Sequence, residues 1–230
     1  MDRRKPSRSS LRLRTNPSTV PQKIKPRWSE VIVAATGPSL TPEVAKACEG
    51  RSVLAVNDAH RLFPWAEILY ACDSSWWAVH KGCPGFQGEK WSSHGGPARI
   101  RHNDKTEAAK RWGLNLIEGR DGHGFCFEPG IIHYGSNSGF QAINLAIQMG
   151  ATRIILVGFN MGTIDGKRHF FGDHPAGLRN ASTYGNFIRA FDRAAKLLPS
   201  HITILNATPQ SALTCFSKVS LHDALAAIAA

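Results

Sequence analysis

From residue 31 onward, short continuous apolar runs alternate with amphipathic stretches. VIVAA at 31–35, SVLAV at 52–56, EILYA at 67–71, RIILVG at 153–158 and ITILN at 202–206 read as strands. Runs of this kind, without polar alternation, fit strands covered on both faces. ARI at 98–100 and LNLI at 114–117 are candidates for shorter strands. Between them, 41–50 reads as a helix with Thr41 as N-cap, Pro42 at its first position and Gly50 past its end. Further helices are expected at Lys105–Trp112, at 138–150 with Ser138 as cap, over Leu178–Leu198 and at Leu221–Ala229.

Strands alternating with helices predict one Rossmann-like, doubly wound, mostly parallel α/β sheet with helices on both faces. Ligands of such sheets bind outside the carboxyl ends of the strands, where the strand order reverses. The polar residues directly after each strand are therefore the candidates. They are Thr36, Gly37, Pro38 and Ser39; Asn57, Asp58 and His60; Asp73, Ser74 and Ser75; Asn160; and Asn206, Thr208, Gln210 and Ser211. Ser136, Asn137, Ser138 and Gly139 precede the 138–150 helix, whose N-terminus suits a phosphate. Gly37 stands without a GxGxxG partner set, and no GxxxxGK[ST] loop occurs, so ordinary nicotinamide and ATPase readings lose weight. No pair of close carboxylates follows a strand, and no metal site is indicated.

The connection 159–178 is long for this fold class and holds His169 and His174, with Asp173 beside the latter. A histidine is the natural base for deprotonating a hydroxyl. His133 is a third candidate. Trp76 and Trp77 are adjacent, and on a helix one of the two could reach the cleft.

Composition alters this picture in one place. The chain has 230 residues, 42% hydrophobic and 20% charged, enough for one sizeable core. Five scattered cysteines without a CxxC pair argue against a disulfide framework and for a reducing cytoplasm. No apolar run is long enough to span a bilayer. Residues 1–27, however, carry nine Lys/Arg against Asp2, most of the net charge of +11. Two units are therefore expected: a disordered basic tail over 1–28 and the α/β domain over 29–230. Such a tail could meet nucleic acid or another polyanion through its charge, act as a targeting segment, or merely aid solubility.

The ordered set Ala34–Leu40 (AATGPSL), Val56-Asn57, Ser136-Asn137-Ser138-Gly139 and Ile155–Met161 (ILVGFNM) resembles glycosyltransferase family 42, the bacterial sialyltransferases, and the related DUF115 proteins. Short, phage-encoded members look most like this chain. The resemblance implies a transferase that uses a nucleotide-activated, CMP-sugar-like donor, with no metal or further cofactor. It implies donor contacts at Gly37, Pro38, Ser39, Asn57, Ser138 and Gly139, and a loop histidine, His174 first and His169 second, as base. The chain departs from the pattern at Asn160, where Asp is frequent, which weakens a metal or acid role, and in having only Tyr184 downstream, which counts against sialic acid as the transferred group. A Mg-dependent, pterin diphosphokinase-like phosphotransferase and a nucleic-acid-binding or DNA-modifying protein remain as alternatives.

Overall fold

The computed structural model describes residues 24–95, 106–178 and 184–226. Nine strands form one sheet, and every pairing is parallel. They are β1 (Glu30–Ala34), β2 (Val53–Val56), β3 (Ile68–Tyr70), β4 (Glu89–Gly95), β5 (Leu114–Arg120), β6 (Ile131–His133), β7 (Arg153–Val157), β8 (Thr203–Asn206) and β9 (Ser217–Lys218). Their order across the sheet is β6-β5-β4-β3-β2-β1-β7-β8-β9. The chain thus winds outward from β1 to one edge, returns, and winds to the other edge from β7. The reversal lies between β1 and β7, where Val33 sits opposite Leu156.

The alternation of side chains along each strand assigns the two faces. Val31 and Val33 of β1 point to one core, with Leu54, Val56, Ile154 and Leu156. Helices α4 (Ser138–Gln148) and α5 (Gly185–Lys196) cover that face through Phe140, Ile143, Phe191 and Ala194. Ile32 and Ala34 point to the other, with Val53, Ala55, Ile155 and Val157. There α1 (Pro42–Ala47), α2 (Ser74–Val79), α3 (Thr106–Trp112) and α6 (Leu221–Ala226) supply Ala45, Trp76, Trp77, Trp112 and Leu225. Burial on both faces is why the strands read as unbroken apolar runs.

Three features depart from the sequence reading. First, β4 has the sequence EKWSSHG and no strand-like apolar pattern, yet its middle is fully buried. Ser92 donates to the Ala71 carbonyl (2.7 Å) and Ser93 to Gln141 Oε1 (2.8 Å), which also accepts from Tyr70 (2.6 Å). These bonds replace the apolar signal, because a buried hydroxyl with a partner is tolerated. Second, α4 is capped by Asn137, whose Oδ1 accepts from Phe140 N at 2.8 Å, and not by Ser138. Third, residues 24–28, expected within the tail, are tied to the body at two points, although Lys25, Pro26 and Arg27 are exposed. Trp28 is buried and donates to Glu67 at 2.9 Å, and the Arg27 amide donates to the Met149 carbonyl at 2.8 Å. The remainder of the expected tail, 1–23, and the strand expected at 98–100 lie outside the described residues.

Asn144 is the buried pin between α4 and the segment that leads into β6. Its Oδ1 accepts from Cys126 N (2.8 Å) and His133 N (2.9 Å), and its Nδ2 donates to the Cys126 carbonyl (2.8 Å). Asn144→Leu leaves the Cys126 and His133 amides without their partner, while the Cys126 carbonyl keeps Gln148 Nε2 as a donor. At roughly 1–3 kcal/mol for each unsatisfied group, stability should fall by at least ~2 kcal/mol in urea denaturation.

Candidate active site

A cleft of about 250 Å³ opens at the carboxyl ends of β1, β2, β3 and β7, over the point where the strand order reverses. After β1 it is bounded by Thr36 and Gly37, after β2 by Asn57, after β3 by Cys72 and Asp73. The turn into α4 adds Ser136 through Gly139, and the long loop after β7 adds Met161, Arg168, His169 and His174. Tyr184 and Phe187 close it from the start of α5. Ten of the predicted site residues therefore meet in one cleft.

Gly37, on the lining, also serves the frame: a Cβ there would lie 2.3 Å from Asn160 Oδ1 and 2.4 Å from the Gly158 carbonyl, so its missing side chain admits the neighbouring turn. The Gly37 amide donates to that carbonyl at 2.8 Å. Ser39 donates its hydroxyl (2.7 Å) and its amide (3.2 Å) to Asn160 Oδ1, so the hydroxyl is engaged. Asn160 is 2% exposed and also donates to the Pro209 carbonyl. Asn206 is equally buried, bonded to the Leu213 carbonyl and the Thr208 amide. Pro38, Ser39, Asn160 and Asn206 are thus parts of a clamp behind the cleft and do not line it. Thr208 and Ser211 belong to the same clamp, holding Phe159 through its amide and its carbonyl. Trp76 and Trp77 are both buried; Trp76 donates to Asp58 (2.8 Å) and Trp77 to the Ala71 carbonyl (3.0 Å). Neither reaches the cleft. His133 is a structural pin, with Nδ1 3.0 Å from the Gly124 carbonyl.

The long loop is strapped to β1. Phe170 N donates to the Thr36 carbonyl (3.0 Å), and His169 Nδ1 lies 2.9 Å from Thr36 Oγ1. The Arg61 guanidinium lies over the rings of Phe170 and Phe171 at 5.9 and 5.4 Å. His169 stacks on Phe171 and meets the His174 ring at 4.4 Å between centroids. Burial, with His174 adding to it, lowers the His169 pKa to about 4. Burial also lowers that of His174, against the raising effect of Asp58, Asp173 and Asp73. Both imidazoles are therefore neutral at pH 7, as acceptors of a proton must be.

Three buried polar atoms on the cleft lining have no protein hydrogen-bond partner among the described residues: Asn57 Oδ1, His169 Nε2 and Tyr184 Oη. Asn57 and Ser136 are held at φ of +50° and +67°, a left-handed conformation that costs a residue with a side chain about 1 kcal/mol or more. Ser138 turns its hydroxyl to Cys72, accepting from its amide at 3.1 Å and lying 3.0 Å from its sulfur. In the first turn of α4 the Phe140 amide is taken by Asn137, and the Ser138 and Gly139 amides, on the cleft lining, have no intrahelical acceptor. Sequence spacing identified most of these residues. It missed Cys72, Met161, Arg168, Tyr184 and Phe187 as lining, because loop and helix-start positions carry no strand-end signature.

The fold and cleft define a parallel α/β protein with its polar site at the switch point. The same fold occurs in the solved structure of "MAf glycosyltransferase from Magnetospirillum magneticum AMB-1", with a TM-score of 0.57 and 14% identity. The match covers 85% of this chain and 34% of that one, so this chain spans about a third of its length. No protein-family model matches the chain, and no curated protein matches it in sequence. No helix among the described residues is long and apolar enough to cross a membrane.

Two outcomes follow from this geometry. Gly37→Ala should cost about 1–3 kcal/mol in urea denaturation, because the added carbon meets backbone on one side and a locked amide on the other. His169 should also make stability depend on pH. With a native pKa of about 4 and an unfolded one near 6.5, the unfolded chain binds the extra proton between these values. Stability is therefore unaffected by His169 above pH 6.5, declines as pH falls, and has lost up to ~3 kcal/mol below pH 4. The same pH series on His169→Gln should show a shallower decline.

Proposed function

We propose that the protein is a glycosyltransferase that binds a nucleotide-activated sugar in the switch-point cleft. The observation that carries this reading is the convergence on one cleft of the α4 N-terminus, the unpartnered Asn57 and Tyr184 oxygens, and two neutral histidines. The donor phosphate would lie at the amides of Ser138 and Gly139, favoured by the helix dipole. Asn57 Oδ1 would accept from the ribose or the base, and Phe187 and Met161 would provide apolar wall.

In the reaction, an acceptor hydroxyl oxygen attacks the anomeric carbon. The bond from that carbon to the phosphate oxygen breaks, and the nucleotide leaves with the electron pair. His174 takes the hydroxyl proton. Asp58, Asp173 and Asp73 oppose the lowering of the His174 pKa by burial, and His169, fixed by Thr36 and Phe171, packs against its ring and would orient it. The phosphotransferase alternative would place Mg²⁺ at the phosphates with Asp73, the carboxylate of this lining, as a ligand, so the two readings separate on metal dependence of activity. The fold shared with a glycosyltransferase agrees with the proposal at the level of architecture.

A thermal-shift panel of CMP, UDP, GDP, ATP and a pterin tests the reading. One of the three nucleotides CMP, UDP or GDP should stabilise the protein, by about 2.7 kcal/mol at a hundredfold excess over Kd. Stabilisation by ATP with the pterin alone would overturn it. With the matching sugar nucleotide as donor, His174→Ala should lower kcat by ~10²-fold or more and leave the donor Kd within a factor of two or so. Unchanged turnover would remove His174 from the role of base.

A further inference from the structure

A second cleft, of about 400 Å³, adjoins the first. Ser136 lines both, and the start of α5 forms a wall of each. Tyr184 and Phe187 face the switch-point cleft, whereas Asn186, Arg189 and Arg193 face the second. The opposite wall is the 121–124 segment after β5, with Asp121 and His123, and Tyr134 stands beside Ser136.

This wall is built, not a loose surface. Gly122 passes so close to His133 that a Cβ would lie 2.3 Å from the ring, and His133 in turn holds the Gly124 carbonyl. Asn144 fixes the His133 amide from below. Gly135, at φ +51°, presses on Phe140, where a Cβ would lie 2.0 Å from the ring. The backbone around the cleft is therefore set before any ligand arrives.

Its charge is one-sided. Arg189 and Arg193 are four residues apart and project from one face of α5. Neither forms an ion pair among the described residues, whereas most other arginines of the body do. Arg189 is held by a hydrogen bond to Asn186 Oδ1. Against these two cations stands Asp121 alone on the lining. Two adjacent guanidinium groups in a concave, polar setting match the planar, bidentate geometry of a carboxylate or a phosphate. The other lining groups, Asp121, His123, Tyr134, Ser136 and Asn186, are hydrogen-bonding side chains suited to a ring bearing several hydroxyls.

We propose that this second cleft is the acceptor subsite and that it takes an acidic saccharide, whose anionic group lies on Arg189 and Arg193. Its hydroxyl would then reach the donor across Ser136. Calling the ligand an acceptor rests on the glycosyltransferase reading above; the anion-selective saccharide site does not.

Isothermal titration with glucuronic acid, glucose 6-phosphate, glucose and inorganic phosphate tests it, with the nucleotide from the panel above as an internal control. Glucuronic acid and glucose 6-phosphate should each bind at least tenfold more tightly than glucose and than inorganic phosphate. Preference for one of the two identifies the anionic group as carboxylate or phosphate. Arg189→Ala/Arg193→Ala should lower acidic-sugar affinity at least tenfold and leave nucleotide affinity unchanged, and the paired Lys variant should recover part of the loss. Both positions are exposed on α5, and unchanged nucleotide binding reports that the fold is intact. Glucose binding as tightly as glucuronic acid, or phosphate binding as tightly as glucose 6-phosphate, overturns the inference. Acidic-sugar binding in a protein that binds no nucleotide would sink the glycosyltransferase reading and leave this cleft standing.

Discussion

The contact on which this molecule depends is the crossing of two turns behind the cleft. β1 and β7 are neighbours, yet the chain leaves them toward opposite edges of the sheet. Their turns must pass each other within a van der Waals contact. Gly37 permits this by having no side chain, and its amide bonds to the Gly158 carbonyl. Gly158 returns the arrangement at φ +71°, with its own Cβ position 2.4 Å from the Ala35 carbonyl. Ser39, Asn160 and Pro209 then tie the three connections into one polar clamp. The cleft keeps its shape because the clamp fixes both turns from the side away from it.

From that clamp the rest follows in order. With the β1 turn fixed, Thr36 presents both its carbonyl and its hydroxyl to the long loop, and these secure Phe170 and His169. With His169 secured, the ring of His174 has one packed neighbour and an aromatic floor. Opposite, the Tyr70–Gln141–Ser93 group buries three polar side chains where α4 crosses β3 and β4. A satisfied buried network of this kind fixes a helix in one place, since any slip leaves a donor or acceptor without its partner. The two walls of the cleft are therefore set by hydrogen bonds in a core that apolar packing alone would leave free to slide.

Sequence periodicity was a good guide to the sheet and a partial one to the site. β1, β2, β3 and β7 were legible because each is buried on both faces, so burial shows as an unbroken apolar run. β4 was not, because Ser92 and Ser93 meet their buried positions by hydrogen bonding. β6 and β9, with three and two residues, are too short to show any period. One cleft collects Thr36, Asn57 and Asp73 from the strand ends, the 136–139 turn from the helix start and both histidines from the long loop, whereas Ser39, Asn160 and Asn206 lie behind it. A polar residue after a strand has two uses, to face a ligand or to bind the next turn, and its identity is the same in either. What separates them is burial and partner, which only the assembled sheet reveals.

That distinction bears on how one sheet edge can carry two adjoining clefts. In this fold the polar groups that hold the frame and those that face the cleft come from the same turns, one or two residues apart. Thr36 faces the cleft while Ser39 braces it, and Phe187 faces one cleft while Asn186 and Arg189 face the next. Because α5 packs on the core through Phe191 and Ala194, its orientation is fixed by apolar contacts that neither cleft uses. The outer face of that helix is consequently free to vary without disturbing the switch-point cleft. Changes at 186, 189 and 193 would alter the second cleft and leave the lining of the first untouched. One helix thus serves two adjoining clefts with two differently directed faces.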